Sequence, residues 1–230
     1  MCQSSLFIDI GNSAIKWRTC DSEVFTEGVD LFSLELLPKA DSVWVSAVAH
    51  LNIVQAIKTQ FSNVKLVEPL KQYGRLTLSY HDPSKLGADR FLAMLVALEH
   101  FPNQPLLVID AGSAVTFDVI DAKGMHQGGL IMPGLKALRE SFAKFSTNDL
   151  SINTSELKNS TEGAWQSGTH AMLVSAVNSQ IHNFELKYPG GVITICGGIV
   201  KEIIKELPVS VKSFDNLVLD GLESYSQSMG

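Results

Sequence analysis

Two stretches of the chain share an unusual plan. LFIDIGNSAIKW, Leu6 to Trp17, runs an apolar strand into an acid, a glycine and small polar residues, and then strand character resumes. LLVIDAGSAVTFDVI, Leu106 to Ile120, does the same. A strand that stops in Asp-x-Gly and restarts at once reads as a tight antiparallel hairpin. Each hairpin is followed by a third strand pattern, Val24–Val29 and His126–Met132, and then by helix. The plan of strand, turn, strand, strand, helix therefore recurs about a hundred residues apart, the mark of a duplicated α/β unit. The segment FPNQP, Phe101 to Pro105, interrupts a helical pattern, so we place one domain at 1–104 and a second at 105–230. Each falls within the size range of a small domain.

The remaining pattern fits this division. Asp41–Val48 reads as a strand, followed by helix through Phe61 and a short strand at Val64. Lys85–Phe101 reads as a helix with Phe91, Leu95 and Leu98 on one face, stopped by Pro102. In the second half a helix follows PGLKALRESFAKF, and a long one runs from Thr161 to Leu186. A strand, Val192–Cys196, ends in Gly197-Gly198, Lys201–Leu207 is helical, and VKSF and LVLDGLESY close the chain. Asn and Ser punctuation over Asn148–Ser160 marks a loop.

The turns suggest chemistry. A small glycine-containing hairpin lets backbone N–H groups face a ligand unobstructed, and such a nest binds phosphate oxygens. Ser13 adds a hydroxyl and Lys16 a charge. Asp9 and Asp110 are anions, so each would hold a cation, or its waters, that bridges to phosphate. A lone Asp-x-Gly at a strand end is ordinarily a plain turn; the matched pair is what favours phosphate. The chain has no GxxxxGK[ST] loop, and no GxGxxG follows a strand, so P-loop and Rossmann binding are disfavoured. A formal net charge of -6 without a Lys/Arg cluster argues against a nucleic-acid partner and for phosphate held locally. No window is apolar enough for a membrane helix, and the start lacks the basic flank of a signal peptide. Cys2, Cys20 and Cys196 form no CxxC pair, which suits a reducing cytoplasm. His50, His81, His100, His126, His170 and His182 lack metal spacing and are read as bland, with His81 singled out by its neighbour Tyr80.

DIGNSAIKW, GADR, DAGSAVTFD, GGLIMPG and STEGAWQSG occur in the order and spacing of the type III pantothenate kinases, which the chain resembles from Phe7 to Gly221. The resemblance implies the actin, sugar-kinase and heat-shock ATPase superfamily: two duplicated ribonuclease H-like α/β domains with an interdomain cleft. It implies ATP-dependent phosphorylation of pantothenate, the first step of coenzyme A biosynthesis, by a cytoplasmic homodimer. ATP would carry Mg2+, and a monovalent cation, K+ or NH4+, would be needed. Residue by residue, Asp9, Ile10, Gly11, Asn12, Ser13, Ala14, Ile15 and Lys16 match the first ATP phosphate loop. Gly87, Ala88, Asp89 and Arg90 match the pantothenate motif, with Asp89 as proton acceptor. Tyr80 and Thr161 match further substrate contacts, Asp110 the monovalent-cation ligand, and Ser113 the ATP-contacting hydroxyl. Gly197 and Gly198 match the glycine pair near the adenosine.

These roles suit the residues. Pantothenate is an anion, and Arg90 offers a bidentate fork to its carboxylate. Asp89 lies near a helix start, where the dipole favours the ionised form. Positions 13 and 113 are usually threonine in the family and are serine here, which keeps the hydroxyl and loses a methyl. Cys196 stands where the family has threonine, and a thiol is a poor hydrogen-bond partner. Two alternatives stand beside the kinase reading: a kinase of another small hydroxy acid, and a regulatory accessory factor of the same fold without kinase activity.

Overall fold

The computed structural model describes residues 4–20, 22–145 and 153–229. Cys2 and residues 148–152 of the expected loop lie outside the described residues. The chain divides into two compact units, Met1–His100 with Asn216–Gly230, and Phe101–Asp215.

In the first unit, β1 (Ser5–Ile10), β2 (Ala14–Thr19), β3 (Phe25–Gly28), β4 (Ser42–Ala47) and β5 (Val64–Leu66) form a sheet ordered β3-β2-β1-β4-β5, with α1 (Leu51–Gln60) between β4 and β5. β1 to β3 are an antiparallel meander, while β4 and β5 join β1 in parallel. Leu6, Phe7, Ile8 and Ile10 are at most 1% exposed, because a central strand with a parallel neighbour is covered on both faces. A small hairpin, β6 (Gln72–Tyr73) and β7 (Leu76–Thr77), leads to α2 (Ala88–His100).

In the second unit, β8 (Leu106–Ala111), β9 (Ala114–Ile120), β10 (His126–Pro133), β11 (Val192–Cys196) and β12 (Val211–Ser213) form a sheet ordered β10-β9-β8-β11-β12. Its pairings repeat those of the first sheet, with an antiparallel meander followed by two parallel additions. Its helices are α3 (Leu135–Glu140), α4 (Thr161–Lys187) and α5 (Val200–Ile203). Leu173, Val177, Ile181 and Phe184 on one stripe of α4 pack in one core with Ile109, Phe117 and Ile195 from the sheet.

The last helix, α6 (Leu217–Met229), corrects the expected division, since it belongs to the first unit and not to 105–230. A Cβ at Gly221 would lie 2.3 Å from the Leu92 carbonyl oxygen, so α6 and α2 meet backbone to backbone. Tyr225 packs edge-on against Trp44 and Phe91, and Arg18 on β2 bridges Asp220 at 2.9 Å and Glu223 at 2.7 Å. An apolar stripe announces that a helix is buried but not which sheet it covers.

Other boundaries also differ. α2 starts at Ala88 rather than Lys85, because Pro83–Lys85 forms its own 3-10 turn, capped by the Asp82 carboxylate accepting from Ser84 N, and Leu86 is extended. The helix expected over Lys201–Leu207 is α5 followed by a 3-10 turn, Ile204–Glu206. The helix after PGL ends at Glu140, and Ala143–Phe145 is a separate 3-10 turn.

Candidate active site

The first Asp-x-Gly turn closes the β1–β2 hairpin. Gly11 N donates to Ala14 O at 3.1 Å, and a Cβ on Gly11 would approach that oxygen to 3.2 Å, so the turn is tight without positive φ. Asn12 and Ser13 are exposed at its tip, while Ile10 and Ile15 are buried beneath. Asp9 pairs in register with Lys16 on β2 and with Ser46 on β4. Its carboxyl is pushed up to about 6, first by burial and then by the negative charge of Asp89, with the Ser46 hydroxyl and the Lys16 charge drawing it part of the way back.

Asp89 thus stands near Asp9 in the same unit. It is the second residue of α2, where the helix dipole favours its charge, and its Oδ1 accepts from Arg90 N at 2.7 Å. A Cβ at Gly87 would lie 2.4 Å from that oxygen and 3.4 Å from Val48 Cγ1, so the glycine makes room for the carboxylate over its own backbone. Arg90 is only 6% exposed. Its Nη1 donates to the Tyr80 hydroxyl at 3.2 Å, and the guanidinium lies 5.9 Å from the Tyr80 ring centre. Lys71 Nζ donates to Tyr80 O at 2.8 Å and fixes that residue from behind.

The first unit therefore gathers Asp9–Lys16, Tyr80 and Gly87–Arg90. Two partly buried carboxylates within electrostatic reach, beside a loop of backbone amides, suit a divalent cation that takes its other ligands from phosphate and water. No cluster of three His, Cys, Asp or Glu suited to a metal exists among the described residues. A buried guanidinium beside a phenol suits a small carboxylate.

The second turn joins β8 to β9. Asp110 pairs in register with Thr116 and Cys196, and Gly112 N donates to Ala114 O at 2.9 Å. Two glycine segments wall it in. Gly134 N donates to Ser113 O at 3.0 Å, and a Cβ there would lie 2.3 Å from Gly112 O. Gly197, with φ +112°, would bring a Cβ to 2.3 Å from Ala111 O and 2.6 Å from Asp110 Oδ1. Ser113 and Gly198 are exposed. Thr161 opens α4 and is also exposed, beside the cap that Ser160 Oγ makes by accepting from Gly163 N at 3.1 Å. No hydrogen bond among the described residues joins Thr161 to the β8–β9 turn.

The sequence reads His50 as bland and does not single out Lys71. His50 Nε2 lies 3.0 Å from Asn12 O, directly on the first turn. Nothing in the local sequence marks it, because the contact exists only through the parallel pairing of β1 with β4. His126 pairs with Asp118 at 2.9 Å in the interior, and His170 with Glu206 at 2.6 Å.

A type III pantothenate kinase from Teredinibacter turnerae is 30% identical over 94% of this chain and 96% of its own length. A Campylobacter jejuni structure, described as a proposed Baf family transcriptional activator, matches over 97% of this chain and 98% of its own with a TM-score of 0.68 at 22% identity. MreB5 of Spiroplasma citri, solved with AMPPNP, matches over 100% and 97% with a TM-score of 0.54 at 10% identity. These two structural likenesses speak for the fold alone, a mixed α/β fold of the actin-like and sugar-kinase type. The family model for type III pantothenate kinase matches residues 5–183, a span that includes both Asp-x-Gly turns and the GADR motif, and the chain belongs to that family.

Proposed function

We infer that this chain transfers the γ-phosphoryl group of ATP to the primary hydroxyl of pantothenate, the step that opens coenzyme A biosynthesis. The observation that carries the reading is the gathering of Asp9, Asp89, Arg90 and Tyr80 in one unit of a chain of this family. The amides of Asn12 and Ser13 cradle phosphate, with the Ser13 hydroxyl and the Lys16 ammonium beside them. Asp9 and Asp89 would hold Mg2+ brought by ATP, an ion that would neutralise charge on the transferring group. Arg90 and Tyr80 grip the pantothenate carboxylate, and Gly87 and Ala88 shape the floor on which it lies. Asp89 accepts a hydrogen bond from the substrate hydroxyl and orients it. An ionised carboxylate is a weak base, which suffices because the hydroxyl proton leaves late in a loose phosphoryl transfer.

In the second unit, Asp110 holds K+ or NH4+, Ser113 contacts ATP, Gly197 and Gly198 lie near the adenosine, and Thr161 contacts pantothenate. The matching strand orders support a duplicated ribonuclease H-like architecture. We assign the enzyme to a cytoplasmic homodimer; no helix among the described residues is long and apolar enough to cross a membrane.

Purified protein with MgATP, K+ and pantothenate is expected to yield phosphopantothenate, read by mass spectrometry. ATP turnover only with a different hydroxy acid would move the reading to another substrate, and no transfer to any acceptor at high enzyme concentration would remove it.

A further inference from the structure

The turn after β4 touches both parts of the first-unit site. Val48 N donates to Ile10 O at 3.3 Å at the root of the phosphate loop, and Val48 Cγ1 packs toward Gly87 of the substrate motif. Two residues on, His50 adopts a left-handed conformation, φ +53° and ψ +49°, at the head of α1. That region is uncommon for a residue other than glycine, although histidine enters it more readily than most. Its side chain makes no capping hydrogen bond to α1; its Nε2 meets Asn12 O at 3.0 Å instead. A carbonyl can only accept, so Nε2 carries the proton and donates.

We propose that His50 is a positioning residue for the ATP phosphate loop, acting through the Asn12 carbonyl. The peptide joining Asn12 to Ser13 is planar and trans, so its C=O and N–H point in opposite directions. Holding the Asn12 oxygen toward His50 therefore aims the Ser13 N–H away from α1. On the other side of Ser13, Val29 N donates to Ser13 O at 3.2 Å and fixes the next peptide. The loop amide of Ser13 is thus set between two restraints, and His50 supplies its own through a side chain that mutation can remove without disturbing the strand ladder. His50 also lines an open hollow of about 450 Å3 with Asp30, Phe32 and Ile53, so truncating it leaves solvent rather than a core cavity.

The proposal rests on reading Asp9–Lys16 as the phosphate loop, and the experiment separates the two. His50→Asn keeps a residue tolerant of left-handed backbone but lacks the reach to Asn12 O; His50→Gln restores reach and an N–H donor. The loss of one hydrogen bond predicts a rise of about 3- to 10-fold in the ATP KM of His50→Asn, and in the Kd of a fluorescent ATP analogue. Pantothenate KM and Tm should stay unchanged, and His50→Gln should recover most of the loss. Unchanged nucleotide affinity in His50→Asn, a fall in Tm with both KM values moving together, or no recovery in His50→Gln would each overturn the proposal. A wild-type protein that binds the analogue but phosphorylates nothing would count against the kinase reading alone, and the Kd series would still decide the role of His50.

Discussion

The two Asp-x-Gly turns sit at the same place in two sheets of the same strand order, yet they are not equivalent. The first is one residue longer, with Asn12 and Ser13 between Gly11 and Ala14 where the second has only Ser113 between Gly112 and Ala114. Asp9 faces Lys16 and Ser46 in register; Asp110 faces Thr116 and Cys196. Asp9 also feels Asp89 and is raised to about 6. The second turn is instead enclosed by Gly134 and Gly197, whose backbones approach so closely that no side chain fits. The same strand order thus carries turns in two different surroundings: an electrostatically costly acidic pair in one sheet, and a closely packed backbone in the other.

The largest expected effect breaks the symmetry directly. Asp9→Asn should lower turnover by about 10³-fold or more, as loss of a preorganised charge at the phosphates does, whatever the K+ concentration. Asp110→Asn should retain more activity but lose the stimulation by K+ or NH4+ over Na+ at equal ionic strength. Equal losses with equal cation dependence would mean the two turns act alike. The same substitution carries a stability signature. A raised carboxyl favours its neutral form, so Asp9 binds protons more readily folded than unfolded over the window from the ordinary value of 3.8 to about 6. Its contribution to stability is therefore present at low pH and lost as pH rises through about 6. Without ligand, Asp9→Asn should melt above the wild type at pH 7.5, and the gap should shrink as pH falls toward 5 in thermal scans.

Asp89→Asn should reduce kcat by about 10²–10⁴-fold, the usual worth of a positioned acid–base group, with pantothenate binding weakened less. Near-normal turnover would reduce Asp89 to a helix-start residue. A smaller effect is expected from Arg90→Lys. A point charge cannot reproduce the fork that meets a carboxylate and the Tyr80 hydroxyl together, so pantothenate KM should rise roughly tenfold with kcat less affected. A fall in kcat at constant KM would assign Arg90 to the transferring phosphoryl group instead.

The smallest effects test the packing contrast. Gly197→Ala puts a Cβ into a carbonyl at φ +112° and should cost more than about 1 kcal/mol in denaturant unfolding. Gly112→Ala meets nothing closer than 3.7 Å and should cost less than about 0.5 kcal/mol. A drop in ATP affinity in Gly112→Ala without a drop in stability would place its backbone against the nucleotide. Comparable destabilisation by both substitutions would show that the second turn is not walled as described.

Much of this was legible in the chain itself. β2 and β11 begin and end where the pattern puts them, because β2 alternates buried Ile15 and Trp17 with Lys16 and Arg18, and β11 is a buried run set between Gly191 and Gly197, which leaves little freedom of register. α2 starts later than its apolar spacing suggests, because Pro83 and Asp82 favour a 3-10 turn that this spacing masks. The hairpin Gln72–Thr77 is not legible in the sequence, because strands of two residues carry no periodicity.

Local sequence determined the duplicated strand–turn–strand plan, the acids and glycines at the turns, and the motifs that name the family, since each depends on residues within a few positions of one another. The placement of α6 over the first sheet depended on Gly221 meeting Leu92 across more than half the chain. The pressure of Asp89 on Asp9 and the hydrogen bond from His50 to Asn12 likewise join residues far apart in sequence. Only the tertiary structure decides such contacts, because a side chain's pattern states how much of it is buried and not which distant group it is buried against.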